Sequence, residues 1–384
     1  MVSLESPSRE GEGATQLAKA RLLPAAWLLS LAVLLGCGAD SQPPATQSTP
    51  PTLFALMTAS FDAFGAPPQS AVEVVNLASG SALRTVSLGA RVVTSLAVSP
   101  DKSRLYVTDR TSNAVVVADA LTGAVLAAVP VTVPSDTALS ADGSRLYVSA
   151  QQSVVAIDTA THTVQATLAT GSDTPLGLSL SPNGSTLAAV STAGGASPAL
   201  YLIDAATLTL TARVPITNPG EPTNCATFPN DVAFAGAGRV LLWDSNCDNI
   251  YQVDVPSATQ LTAGTIRLGR DGGSSANFNN VLHYGSPSAR AYVVKESTAA
   301  PSLPLAVVDP AAANGALIGG FSGTPFVPAL TPDGGTLVVS VIHRFSGGGA
   351  DTLDRFDTAS STFTPGVYTF SSSTMSVRDM RILP

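Results

Sequence analysis

The sequence says one thing twice. "SPDKSRLYVTDRTSNAVVVADALTGAVLAAVPV", residues 99–131, is followed by a near-copy, "SADGSRLYVSAQQSVVAIDTATHTVQATLAT", residues 140–170. A repeat of this length means that each unit is one supersecondary piece, burying its faces only against its neighbours. The most regular anchor is an apolar strand that ends in Asn or Asp and runs into a short turn. It occurs at Asn76, Asp119, Asp158, Asp204, Asp254, Asp309 and Asp357, at uneven intervals that each leave room for four short strands. A second turn reads "SPDK" at 99, "SADG" at 140, "SPNG" at 181 and "TPDG" at 331.

Around these turns apolar and polar residues alternate, rich in Val, Leu, Thr and Tyr, as strands require. The second unit supplies a template of four strands: "TSLAVSP", "RLYVTD", "AVVVAD" and "AVLAAVPV". Four-stranded units repeated seven times predict an all-β fold, a seven-bladed β-propeller whose radial closure leaves few sheet edges exposed. The first unit starts at "TLFALMTAS" (52–60) and lacks its own innermost strand. The last residues, "SVRDMRILP" (376–384), look like "VTSLAVSP". The ring is therefore expected to be closed by the C-terminal strand, with the propeller spanning 52–384.

The stretch at 99–131 resembles the YVTN family of propeller repeats, with "YVTD" where the family writes Tyr-Val-Thr-Asn. The likeness runs the length of the expected propeller, close in units two and three and divergent, with longer loops, in five and six. Some propellers with related repeats are lactonases, so the resemblance implies a binding module or a hydrolase.

Only 12% of the residues are charged, and the net charge is −8. An acidic chain without a run of Lys and Arg does not suit nucleic acid, whose phosphates need a basic face. Near the N-terminus, Lys19 and Arg21 precede "LLPAAWLLSLAVLLG" (22–36), too short for a convincing membrane span and typical of a secretory signal. The run ends in "LLGC", which resembles the bacterial lipobox. That implies a lipoprotein signal peptide over 1–36, cleavage, and lipid on Cys37, hence a membrane partner in the bacterial cell envelope. Gly38 follows the Cys, which by the family's sorting rule leans towards the outer membrane, on a face left open. An ordinary signal peptide with an incidental Cys is the alternative. Residues 37–51, rich in Pro, Ser and Thr, cannot bury a core and read as a disordered tether.

Two other cysteines, Cys225 and Cys247, lie equally far on either side of Gly236, where the strands "DVAFA" and "VLLWD" turn. Equidistant residues of a hairpin face each other, so a disulfide is expected, with free thiols as the alternative.

Aligning the seven innermost strands separates an apolar set, such as Leu96 and Val98 or Met380 and Ile382, expected to pack between blades. The other set is expected to face the channel: Ala97, Ala138, Ser179, Ala233, His283, Ala329 and Arg381. Two residues earlier, towards the loop-rich end, stand Ser95, Asp136, Gly177, Asp231, Val281, Val327 and Asp379. Asp136, Asp231, His283, Asp379 and Arg381 thus form a candidate ligand site at the channel mouth, able to hold a cation or orient a polar ligand. The plainer alternative is that the Asp residues accept backbone amides and Arg381 pairs with Asp379 or Asp136.

"DSNCDN" (244–249) opens like a calcium loop but ends without the closing Glu, and reads as a turn. No haem, zinc-protease, nucleophile-elbow or phosphate-loop motif occurs, and three His residues make a multi-His metal site a poor expectation. No cofactor is expected, with a channel-bound divalent cation left open. The first functional expectation is a lipid-anchored binding module that presents the loops 191–198, 217–228, 244–249, 270–279, 295–304 and 343–351 to a protein or glycan. The second is a lactonase-like hydrolase at the channel mouth.

Overall fold

The computed structural model describes residues 50–59, 68–192, 198–219, 226–268, 282–285, 289–294, 305–343 and 350–384. They form seven antiparallel sheets, one per repeat, in a β-propeller. Blade two shows the pattern: Val93–Val98, Arg104–Asp109, Ala114–Asp119 and Val125–Pro130 pair in that order from the axis to the rim. In blade five the outermost strand is split into Thr259–Gln260 and Ile266–Arg267 around a single 3-10 turn.

Blade one is built from both ends of the domain. Met375–Leu383 pairs antiparallel with Thr52–Ala59, placing Leu53 opposite Ile382 and Leu56 opposite Asp379. The expected closure by the C-terminal strand is what the structure has. Seven apolar clusters form among the described residues, one for each seam between neighbouring blades. The closing seam joins Val327, Val338 and Leu353 of blade seven to Leu53, Met57, Val377 and Met380 of blade one. Across this seam the buried Glu73 carboxylate accepts from the Tyr368 hydroxyl, from Ser371 Oγ at 2.8 Å and from the Ser371 amide at 3.2 Å. Burial beside that carboxylate pushes the Tyr368 hydroxyl's pKa up.

The sorting of innermost-strand residues differs in one respect from the expectation. Leu96 and Val98 pack towards blade one, as expected, and Ala97, which borders the axis as expected, also packs into the seam with blade three. Ala233 and Ala329 likewise belong to seams. Blades stand face to face, so both faces of an inner strand meet neighbours. Small residues occur there because the blades converge on the axis.

The two ends of the ring are built differently. At one end lie the turns from first to second and from third to fourth strands. Here each anchor folds back on its own turn: Asp119 Oδ1 accepts from the Leu121 and Thr122 amides and the Thr122 hydroxyl at 2.7–3.0 Å. Asp158 and Asp357 repeat this with Thr161 and Ser360. Four residues after every anchor the backbone enters the left-handed region, at Gly80, Gly123, His162, Leu208, Ala258, Ala313 and Ser361, with φ of 51–76°. At Gly80 a Cβ would also stand 2.5 Å from the Val367 carbonyl of blade seven, so glycine is required twice over. The chain enters the ring at this short-turn end, since Thr52 pairs with Asn76 and with Leu383. The opposite end carries the links between second and third strands, as short as two residues in blade three, and the links between blades.

Candidate functional site

A cavity of about 450 Å³ lies on the axis. The innermost strands supply its wall: Ala97, Ala138, Ser179, Ala233, His283 and Arg381 from the middle ring, and Val98, Leu139, Leu180 and Leu383 from the strands' carboxyl ends. It therefore extends from the middle ring towards the short-turn end, whereas sequence alignment had put the site's mouth at the loop-rich end. The Arg381 side chain is 25% exposed there.

The carboxylates lie deeper. Asp136, Asp231 and Asp379 are 6%, 4% and 1% exposed, and Asp231 alone of the three lines the cavity. Two of them do the same work on alternate blades. Asp379 takes the amide of its own successor, Met380, on Oδ1 at 2.8 Å, and that of Leu96 in the next blade on Oδ2, also at 2.8 Å. Asp136 takes Thr137 on Oδ1 at 2.7 Å and Leu178, in blade four, on Oδ2 at 2.8 Å. Ser95 Oγ, on the blade between, lies within hydrogen-bond distance of both, 2.9 Å from Asp136 Oδ1 and 3.1 Å from Asp379 Oδ2, and shares its one proton between them. Asp231 accepts the Val232 amide at 2.8 Å, the same first half of the pattern. Beside it, a Cβ on Gly177 would stand 3.0 Å from Asp231 Cα, so blades four and five approach closely. Asp136 and Asp379 tie one blade to the next through amides that would otherwise lie buried and unpaired.

Arg381 joins the cluster: Nη1 donates to Asp379 Oδ1 at 2.7 Å, and Nη2 stands 4.0 Å from Asp136 Oδ1. The structure thus brings Arg381, Asp379 and Asp136 into one hydrogen-bonded group and sets His283 and Asp231 in the wall of the adjoining cavity. Burial pushes the Asp379 carboxyl's pKa up, against the pull of Arg381 and with the repulsion of Asp136. Sequence reasoning placed Ser95 in this ring without a role. The signal was there: it sits between two blades that carry Asp at the same alignment position.

No group of three His, Cys, Asp or Glu among the described residues is arranged to hold a metal ion. In the "DSNCDN" segment, Asp244 is buried and its oxygens accept from the Phe228, Asn246 and Cys247 amides and the Tyr251 hydroxyl, a turn as expected. His162 Nε2 is 2.9 Å from Arg104 Nη1 in an outer turn, and His343 Nε2 is 2.8 Å from Thr352 Oγ1. Cys247 is buried, with its sulfur 3.5 Å from the Ala226 carbonyl. Cys37 and Cys225 lie outside the described residues, as do the loops 270–279 and 295–304 and the centres of 191–198, 217–228 and 343–351.

No protein-family profile matches this chain, and no curated protein sequence matches it. Among solved structures it is similar to hydrazine synthase of Kuenenia stuttgartiensis, at 18% identity and a TM-score of 0.45, over 76% of this chain and 74% of that one.

Proposed function

We propose that this chain is a non-enzymatic binding module of the bacterial cell envelope, a YVTN-type propeller held by lipid on Cys37 that offers its loop-rich end to a protein or glycan. The observation that carries this reading is how the axial carboxylates are used. Asp136 and Asp379 each spend both oxygens on backbone amides, two of them from another blade. A general base must reach a substrate proton. Carboxylates committed to holding blades together suit a rigid scaffold better than a hydrolase. The cavity beside them, with Arg381, His283 and Ser179 in its wall, suits a small polar ligand.

A bond between Cys225 and Cys247 belongs to the same reading. The Cys247 sulfur stands at the backbone of Ala226, the residue next to Cys225 in the chain. It would pin two links of the loop-rich end of blade five, in a compartment where disulfides persist.

Thermal unfolding with a panel of glycans, lactones and divalent cations tests the proposal. A ligand at 100 times its Kd adds about 2.7 kcal/mol, a shift of a few degrees. A glycan shift without turnover of any lactone is expected. Lactone hydrolysis that is lost in His283→Ala or Arg381→Ala would replace the binding reading with the enzymatic one.

A further inference from the structure

Six large apolar side chains stand exposed among the described residues: Leu83, Leu121, Val125, Leu126, Val164 and Leu210. Every one closely follows the Asn or Asp that opens the outer turn of blades one to four. They therefore form an arc along the rim of the short-turn end, across four consecutive blades. Leu121 is 71% exposed. In each of these blades the outermost strand opens with a bulge, beside Val75, Ala118, Ile157 and Ile203. A bulge bends its strand and re-aims its side chains. The seam between the first two blades is continuous here, since Arg84 Nε donates to the Ala120 carbonyl at 2.9 Å.

The same end receives the chain. Thr52 pairs with Asn76, so the segment that follows Cys37 enters the ring beside the first turn of the arc. The stretch from Cys37 to Thr52 spans at most roughly 50 Å when fully extended. An arc of apolar groups along the rim of one end is met at once by a flat surface, and a bilayer is such a surface. The carboxylates beside it, Asp119, Asp158 and Asp204, are held below the usual carboxylate range by hydrogen bonds from their turns and stay charged. That favours zwitterionic headgroups over anionic ones.

We propose that this arc is the surface on which the propeller rests against the bilayer that holds Cys37. The inference rests on the lipid attachment proposed above and adds an orientation. The short-turn end faces the membrane, and the loop-rich end points away from it, towards ligands.

The full chain is produced in a host that processes lipoproteins and reconstituted in phosphatidylcholine vesicles with brominated acyl chains. Leu121→Trp reports on the arc. Ser172→Trp, exposed in a link at the opposite end, is the control. Trp27 precedes Cys37 and leaves with the cleaved segment, and Trp243 is buried. Leu121→Trp fluorescence is expected to lose about half its intensity, as for a side chain buried in the headgroup and acyl boundary, while Ser172→Trp keeps its own. Mass spectrometry of the N-terminal peptide reads the lipid separately. A lipidated Cys37 with no quenching at Leu121→Trp, or with equal quenching at both sites, overturns the arc and leaves the anchor standing. A Cys37 without lipid overturns the anchor and the orientation together.

Discussion

The two ends of the ring use the same side chain for different purposes. At the short-turn end, Asp119 and its equivalents accept hydrogen bonds from residues two and three places further along the chain. At the loop-rich end, Asp136 reaches Leu178 and Asp379 reaches Leu96, 42 and 283 residues away. The first kind shapes a turn, and the second holds the circle. Local and long-range carboxylates should therefore fail differently, one by loosening a turn and the other by loosening the ring.

The largest effect should come from removing the strand that makes closure possible. Deleting residues 376–384 strips Val377, Met380 and Ile382 from the closing seam, together with Asp379. Each buried apolar side chain is worth about 1.5–3 kcal/mol. Added to an exposed inner edge of blade one, that loss approaches the about 5–15 kcal/mol that holds a domain folded. Circular dichroism melting should lose its cooperative transition altogether. A truncation that melts like the intact chain would mean that the seams hold the ring without its closing strand.

Next in size, Asp379→Ala should cost about 2–4 kcal/mol, because it takes the carboxylate from the buried Leu96 and Met380 amides and removes one partner of Arg381. Asp119→Ala, whose partners face solvent, should barely move the urea midpoint. Equal midpoints for the two variants would erase the distinction between the ends.

The seven units, their four strands and the closing strand were all legible in the sequence, because strand alternation and turn chemistry act within a few residues. Asn76 and Asp357 announce their turns without reference to anything distant. The axial site was legible only in part. Alignment puts Asp136 and Asp379 at one level of the ring and Arg381 two residues further along its strand, and it leaves open that they only pair with one another and with amides. It could not show that Leu96 and Leu178 supply those amides, nor that the cavity extends towards the other end, since both depend on how neighbouring blades are rotated. Glu73 went unnoticed for the same reason. Its partners, Tyr368 and Ser371, lie 295 and 298 residues away.

Acid should act with opposite sign on two kinds of carboxylate. Hydrogen bonds from Ser99 and Ser103, and from Ser140 and Ser144, hold the Asp101 and Asp142 carboxyls down to about 2. A carboxyl whose folded pKa lies below its unfolded value, ~3.9, stabilises the fold above that pH and loses its contribution as pH falls through the folded pKa. Asp379 runs the other way. Burial raises its folded pKa, as it does that of Asp244, so protonation is easier in the native state and acidification towards ~3.9 is stabilising there. On acidification the melting midpoint should first hold or rise slightly as Asp379 takes up its proton, and then fall below ~3.9 towards about pH 2. The double variant Asp101→Asn, Asp142→Asn should make the second limb shallower, with Asp119, Asp158 and Asp204 keeping part of it, and Asp379→Ala should reduce the first. A single monotonic fall, unchanged by either, would mean that the acid response lies elsewhere in the ring.

The smallest effect tests the turns alone. Ser361 sits in the left-handed region with φ of 56°, at the position that Gly80 and Gly123 fill in blades one and two. A non-glycine residue there costs about 1–2 kcal/mol. Glycine would remove that cost and give back about 0.4–1 kcal/mol through a more flexible unfolded chain. Ser361→Gly should therefore raise stability by no more than about 1.6 kcal/mol. The gain should come with an unchanged denaturant slope, because the turn touches no seam. A loss on this substitution would show that the serine hydroxyl, or the stiffness of the turn, matters more to blade seven than its backbone strain.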